Sequence, residues 1–130
     1  MEDRIENLDW VTERASCSLA LVFERLKDQV KSDVEKRNSL RPEGTPYQFK
    51  AAIAGNAITV VGESNRPYIA VKFEMIGNEI VVKDKRDEIV LQAALTLNNR
   101  GECKLKVKEQ EWELWQFRRA ALEYLFFNHF

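Results

Sequence analysis

Histidine, cysteine and glycine are scarce in this chain, which has one histidine, two cysteines and five glycines in 130 residues. The histidine is His129, close to the end of the sequence, where chains usually fray, so it is a poor base for a Ser-His-Asp or Cys-His arrangement. The glycines are isolated and form neither a GxGxxG nor a Walker loop. The sequence therefore gives no sign of a nucleophilic hydrolase, a metal centre or a nucleotide site, and it predicts no cofactor.

The two cysteines, Cys17 and Cys103, form no CxxC pair and are too few for a zinc site. We predict that both are reduced thiols in the core. Long apolar runs are also missing, because no stretch of about 18 apolar residues occurs, and the acidic start of the sequence is unlike a signal peptide. These features predict a cytoplasmic protein with no membrane segment.

Neither sign of charge is in excess, because 20 basic and 21 acidic residues are interspersed and give a formal net charge of -1. No overall field would attract phosphate backbones or anionic lipid. A local set of lysines, with one tyrosine as a stacking group, could still bind single-stranded nucleic acid on the outer face of a sheet. Its members are Lys50, Lys72, Lys83, Lys104, Lys106, Lys108 and Tyr68. Lysines on an edge strand also deter aggregation, and we favour that interpretation.

Ahead of the predicted strands, apolar residues recur at spacings of three and four from about Asp3 to Arg37, which predicts one long amphipathic helix. Its core-facing positions would be Leu8, Val11, Ala15, Leu19, Val22, Leu26 and Val30. The helix should end before residues 41–46, because residues that precede proline avoid the α region and this segment contains two prolines and a glycine.

Between Tyr47 and Glu109, six short runs alternate apolar and polar residues. Gly-Asn dipeptides at 55–56 and 77–78 predict two-residue hairpin turns that place apolar residues of paired strands opposite each other. After the fifth strand a loop of about five residues is needed for Leu95 to face Leu105. No connection has room for a crossover helix, so we predict an antiparallel meander in the order one to six.

An aromatic-rich helical pattern then continues from about Glu109 to Phe130. Both helices must bury an apolar face, and we expect them to pack on one face of the sheet. The sequence therefore predicts a single α+β domain over residues 1–130, with a long N-terminal helix, a six-stranded antiparallel meander and a C-terminal helix.

Both predicted helices carry more apolar surface than one sheet face can cover. In the last helix, Arg118 falls within the apolar arc, where it should either extend to the edge over Trp115 or pair with an acidic residue of a partner. A second subunit would cover the surplus. The candidate interface residues are Trp10, Cys17, Leu21, Arg118, Phe127 and Phe130.

Three functions are compatible with these features. The first is a non-catalytic protein-binding or assembly domain, homodimeric through its helical surfaces. The second is a carrier of a small apolar ligand, or an enzyme, with a pocket between the curved sheet and the C-terminal helix. That pocket would be lined by Tyr47, Phe49, Phe73, Trp112 and Trp115. The layout is similar in outline to helix-grip folds, in which a meander wraps a C-terminal helix around an apolar cavity, although this chain starts with a helix. The third is binding of single-stranded nucleic acid by the lysines.

Overall fold

The computed structural model of the chain describes residues 7–40 and 46–128. These residues form an α+β fold with three helices and a seven-stranded antiparallel sheet, whose strand order follows the chain from β1 to β7. The helices are α1 (Trp10–Ser16), α2 (Leu19–Leu40) and α3 (Leu114–Phe127). The strands are β1 (Gln48–Ala54), β2 (Ala57–Glu63), β3 (Ile69–Ile76), β4 (Glu79–Asp84), β5 (Ile89–Leu97), β6 (Cys103–Val107) and β7 (Gln110–Trp112). The predicted class and meander are confirmed, with seven strands rather than six.

The predicted strand register is confirmed at each of the three hairpins. Ile53 pairs with Ile58 across the first Gly-Asn turn. Across the second, Phe73 pairs with Val82. The loop between β5 and β6 has the predicted five residues, 98–102, and Leu95 pairs with Leu105. Loop length therefore fixed which residues share a face, because a one-residue slip would turn each apolar side chain outward.

Strand β7 falls where the sequence predicted the start of the last helix. The chain reverses between β6 and β7 through Lys108 and Glu109, which both have positive φ values, 48° and 68°. Positive φ at two successive residues belongs to the hairpin turns that normally use asparagine and glycine. Neither Lys108 nor Glu109 is typical of such a turn, so the additional strand could not be predicted from these residues.

The predicted N-terminal helix is divided in two. Helix α1 ends at Ser16, and α2 starts at Leu19; the start of the predicted helix, residues 3–6, lies outside the described residues. None of the seven residues of α1 is buried. The predicted core positions Val11 and Ala15 are among these exposed residues. No helix within the described parts of the chain is both long and apolar enough to cross a membrane.

The core lies between α2 and α3 on one side and one face of the sheet on the other. From α2 it takes Val22, Phe23, Leu26, Val30 and Val34, and from α3 it takes Phe117, Leu122, Leu125 and Phe126. The Phe126 ring meets Phe49 of β1 edge-on with centroids 4.9 Å apart, and Phe117 lies 6.3 Å from Phe73 of β3. Both helices thus pack on the same sheet face, as predicted.

Cys17 and Cys103 form a disulfide, so the prediction of two reduced thiols is wrong. The bond joins the short link between α1 and α2 to the first residue of β6, across 86 positions of sequence. Cys17 is buried, whereas Cys103 is exposed. Near this bond, Leu8 packs against Gly101 so closely that a Cβ at that glycine would overlap it. These two contacts fix α1 against the β5–β6 end of the sheet.

Strand β1 is an edge of the sheet, and the side chain of Asn38 covers part of that edge. The Asn38 amide donates to the Phe49 carbonyl at 2.8 Å, and its carbonyl accepts from the Phe49 N–H at 3.0 Å. The side chain thus replaces a neighbouring strand for one residue. This pairing fixes the C-terminal end of α2 over β1 and removes one open position for edge-to-edge association.

Candidate functional site

A groove with an apolar lining and a volume of about 380 Å³ lies between the C-terminal half of α2 and α3. We call it the α2–α3 groove. Its apolar lining comes from Leu40, Trp115, Leu122, Phe126 and Phe127. Three of these side chains are exposed despite their size: Leu40, Trp115 (52%) and Phe127 (41%). Single exposed apolar residues are ordinary in proteins, but several around one concavity are typical of a binding surface.

The way in which α3 packs explains why Trp115 faces the groove. The sheet covers Phe117 and Leu125, while Leu122 and Phe126 turn toward α2. Trp115 lies on the same row as Leu122 and Phe126, seven positions before Leu122, so it also faces the groove. The first turn of α3 is fixed where the Glu113 N–H donates to the Gln116 side chain at 2.7 Å, which sets the direction in which Trp115 projects.

Charged side chains of both signs surround the apolar lining. The cationic members are Lys36, Arg37, Arg118 and Arg119, and the acidic members are Asp33 and Glu123, so the groove carries two more positive than negative charges. The chain as a whole has a net charge of -1. The α2–α3 groove is therefore a local positive area on a nearly neutral protein.

Arg118 is fixed by its own chain. Its Nε donates to the Asp33 carboxylate at 2.8 Å, and its Nη1 donates to the Gln29 side chain. The two alternatives from the sequence, extension over Trp115 or a pair with a partner's acid, did not include this arrangement. Asp33 lies on α2, four positions after Gln29, so both groups face α3 from one helix side. Arg118 thus links α2 to α3 beneath the groove.

Arg37 forms the inner wall of the groove and is only 2% exposed. Its Nε donates to the Phe126 carbonyl in the last turn of α3 at 2.8 Å. Its guanidinium lies over the rings of Phe49 and Phe127, 5.0 and 5.6 Å from their centroids. Burial lowers the pKa of Arg37, because the charged form loses solvation. A cation at a helix C-terminus complements the helix dipole, which offsets part of that cost.

The structure separates the predicted interface residues into two regions. Arg118 and Phe127 lie at the α2–α3 groove. Trp10, which is 64% exposed, and Leu21 lie at the other end of α2. Cys17 is buried in the disulfide, and Phe130 lies outside the described residues.

The five residues predicted to line a ligand pocket do not share one cavity. Tyr47, Phe49 and Phe73 are buried in the core, where the Tyr47 hydroxyl donates to the Pro67 carbonyl at 3.1 Å. Trp112 is half-buried on β7. Trp115 is exposed and lines the α2–α3 groove.

The lysines predicted as a nucleic-acid surface are largely paired with carboxylates. Lys72 and Lys83 both contact Glu74 and Asp87 at 3.2–3.8 Å. The other pairs are Lys50 with Glu63, Lys104 with Glu113, and Lys106 with Glu109. The hydrogen bond that the Lys104 ammonium donates to the Glu113 carboxylate raises the pKa of Lys104. The ring of Tyr68 lies under the Lys85 ammonium at 4.9 Å. Intrachain pairing leaves less positive potential for a phosphate backbone than the sequence alone indicated.

Asp33, Lys36, Arg37 and Leu40 were not singled out from the sequence as site residues, although they recur at spacings of three and four along α2. That periodicity could have identified them as one helix face. Helix α2 ends at Leu40, in agreement with the prediction that the helix stops before residues 41–46, so Leu40 belongs to the same helix face.

Comparison of the chain with protein-family models, with curated proteins and with solved structures finds no match in any of the three. The α2–α3 groove must therefore be interpreted from its own geometry.

Proposed function

We propose that this protein is a non-catalytic assembly domain that forms a homodimer through its helical surface, with the α2–α3 groove as the principal contact region. The observation that carries the proposal is the gathering of Leu40, Trp115 and Phe127, all exposed, around one concave surface. Aromatic residues that surround a pocket are the usual anchors of protein–protein contacts.

The environment of these residues supports a protein as the bound partner. The groove has an apolar centre and a charged rim, which is the usual arrangement of protein interfaces. Its walls are fixed by Arg118 with Asp33 and by Arg37 with the Phe126 carbonyl, so little conformational freedom would be lost on binding. Both signs of charge occur at the rim, so charged side chains of one copy can pair with opposite charges of the other.

Sedimentation velocity over a concentration series tests the proposal. We expect the wild-type chain to dimerise and Trp115→Glu to be monomeric at the same concentrations, because the variant places a charge at the rim of the apolar lining. Tyr68→Glu is the matched control, since Tyr68 is exposed to a similar degree but lies just before β3 and does not line the groove. A wild-type chain that stays monomeric up to about 100 µM, a concentration at which weak interfaces associate, would refute the proposal.

We also propose a cytoplasmic location, because only two cysteines occur in 130 residues, whereas small exported domains are often rich in cysteine. The disulfide weighs against this location, because cytosolic thiols are mostly kept reduced. Alkylation of free thiols at the moment of cell lysis, followed by mass spectrometry, measures the state of Cys17 and Cys103. Free thiols would support the cytoplasm, and a fully formed bond would argue for an oxidising compartment.

A further inference from the structure

We infer that the α2–α3 groove is filled by helix α1 of a second copy of the chain, with Trp10 as the side chain that enters it. The inference rests on the proposed self-association and adds the identity of the inserted group. Each copy would give its α1 to the other, so the two-fold dimer would contain two equivalent contacts.

The surface of helix α1 is typical of a segment that binds another protein rather than of a helix that packs in the core. It buries none of its residues, and Trp10 and Val11 stand exposed side by side. Exposed acidic groups, Asp9 and Glu13, flank this apolar pair. A tryptophan framed by charges is a frequent anchor in interfaces, because its large apolar area is buried in the partner while the charges stay at the rim.

The charge of the N-terminal segment is opposite to that of the groove. Residues 2–13 contain five acidic residues and one arginine. The groove contains four cationic and two acidic side chains, and no carboxylate among the described residues pairs with the Lys36 ammonium. The most acidic segment of the sequence therefore complements the positive area, and complementary charges favour correct encounter and register.

The groove of the same chain is out of reach for α1. The disulfide fixes Cys17 beside the N-terminal end of α2, whereas Lys36 lies 17 residues beyond Leu19, about 26 Å along the helix. Helix α1 has seven residues and is about 10 Å long. A two-fold axis that crosses α2 near its middle would bring each α1 beside the groove of the other copy. A second copy is thus the occupant that this geometry allows.

The available area fits a weak dimer. At the 150–250 Å² that an aromatic side chain can bury, the exposed fractions of Trp10, Trp115 and Phe127 amount to roughly 350 Å² per copy. Two copies, together with the exposed Leu21 and Leu40, reach on the order of 1,000 Å², which is the lower limit for a specific interface. We therefore expect micromolar self-association that is complete only at high protein concentration.

A charge-exchange experiment by sedimentation velocity tests the inference in the full chain with its disulfide intact. Glu13→Lys places a cation on the inserted helix, and Lys36→Glu places an acid in the groove. Each variant alone should dimerise roughly tenfold more weakly than wild type, because each substitution acts at both contacts of the dimer. An equimolar mixture should regain the wild-type affinity, since both contacts of the mixed dimer again join opposite charges. Trp10→Glu should be monomeric, with Tyr68→Glu again as the control.

The outcomes separate this inference from the proposal on which it rests. A wild-type dimer that is unaffected by Trp10→Glu, or a mixture that associates no better than its components, would overturn the docking of α1 and leave the dimer through the groove in place. A monomeric wild-type chain would overturn both. Circular dichroism of each variant checks that the fold is retained, which is expected because all three positions are exposed.

Discussion

Substitution of Arg37 by methionine should destabilise the fold strongly, although the change exchanges a buried cation for an unbranched apolar side chain. The Nε–H donates to the Phe126 carbonyl, and the guanidinium covers the rings of Phe49 and Phe127. A hydrogen bond from a charged donor contributes about 1.5–3 kcal/mol, and each cation–π contact about 0.5–2 kcal/mol. The variant would also leave the Phe126 carbonyl without this donor near the C-terminal end of α3.

Burial acts in the opposite direction, as the lowered pKa of Arg37 indicates. Apolar replacements of buried charges are sometimes neutral for this reason. We expect the lost contacts to dominate, because the carbonyl stays in place while its donor is removed, and we estimate a net loss of about 3 kcal/mol. With an unfolding entropy of about 2.1 cal/mol/K per residue, that loss lowers the Tm by about 11 °C.

Urea denaturation measured by tryptophan fluorescence gives the free energy of unfolding, and a thermal scan gives the Tm. Arg119→Met is the matched control, since Arg119 is exposed and, among the described residues, pairs only with Glu123 one turn away on the same helix. Its loss should cost less than about 0.5 kcal/mol. Arg37→Lys should recover little, because lysine lacks the planar fork that reaches the carbonyl and both rings. A free energy of unfolding of Arg37→Met within about 0.5 kcal/mol of the wild-type value would show that the lost contacts do not outweigh the cost of burying the charge.

Three further predictions follow from the same structure. Serine at both Cys17 and Cys103 should lower the free energy of unfolding by up to about 4 kcal/mol, because the disulfide closes a loop across 86 positions. Reduction of the wild-type disulfide should give the same loss. Equal free energies of unfolding with and without the disulfide would refute the expectation. Asn38→Leu removes both hydrogen bonds to Phe49 and should lower the free energy of unfolding by about 1–3 kcal/mol. Light scattering should increase, because the uncovered edge of β1 can associate with other chains. Stability and scattering like those of wild type would show that Asn38 does not protect this edge. Glu113 raises the pKa of Lys104, so this pair stabilises the fold below pH 10.5, and its contribution is lost as the pH rises through the higher folded-state pKa. The free energies of unfolding of wild type and Lys104→Met should therefore converge at strongly alkaline pH. A difference that stays constant with pH would contradict the assignment of the raised pKa to this pair.

The strand pairings could be predicted from sequence because each depends on a few adjacent residues. A two-residue Gly-Asn turn and strict alternation leave one register in which Ile53 meets Ile58 on the buried face. Strand β7 could not be predicted for the converse reason. Its turn at Lys108 and Glu109 uses backbone angles that those side chains do not favour, so pairing with β6 overrides local preference there.

The division of the first helix depends on a contact that the sequence does not reveal. Nothing at Cys17 or Ser18 resembles a helix stop, since neither glycine nor proline occurs there. The chain leaves the helix where Cys17 bonds to Cys103 of β6. Two cysteines that are so distant in sequence carry no spacing signal that would pair them. The periodicity correctly predicts helix on both sides of the break, but the disulfide to β6 separates the two helices.

The surplus of apolar helix surface is accounted for in part by α2 and α3 themselves. The sheet and α2 cover two sides of α3, but Trp115 and Phe127 remain exposed at the α2–α3 groove. The sequence could establish that more than one side needed cover, because helical wheels show how wide an apolar arc is, but not which neighbour would provide it. Trp10 was assigned to the same interface as Arg118 and Phe127, yet the disulfide holds it at the opposite end of α2. Within one chain these residues therefore cannot meet, and a single interface that contains all of them requires two copies in antiparallel arrangement.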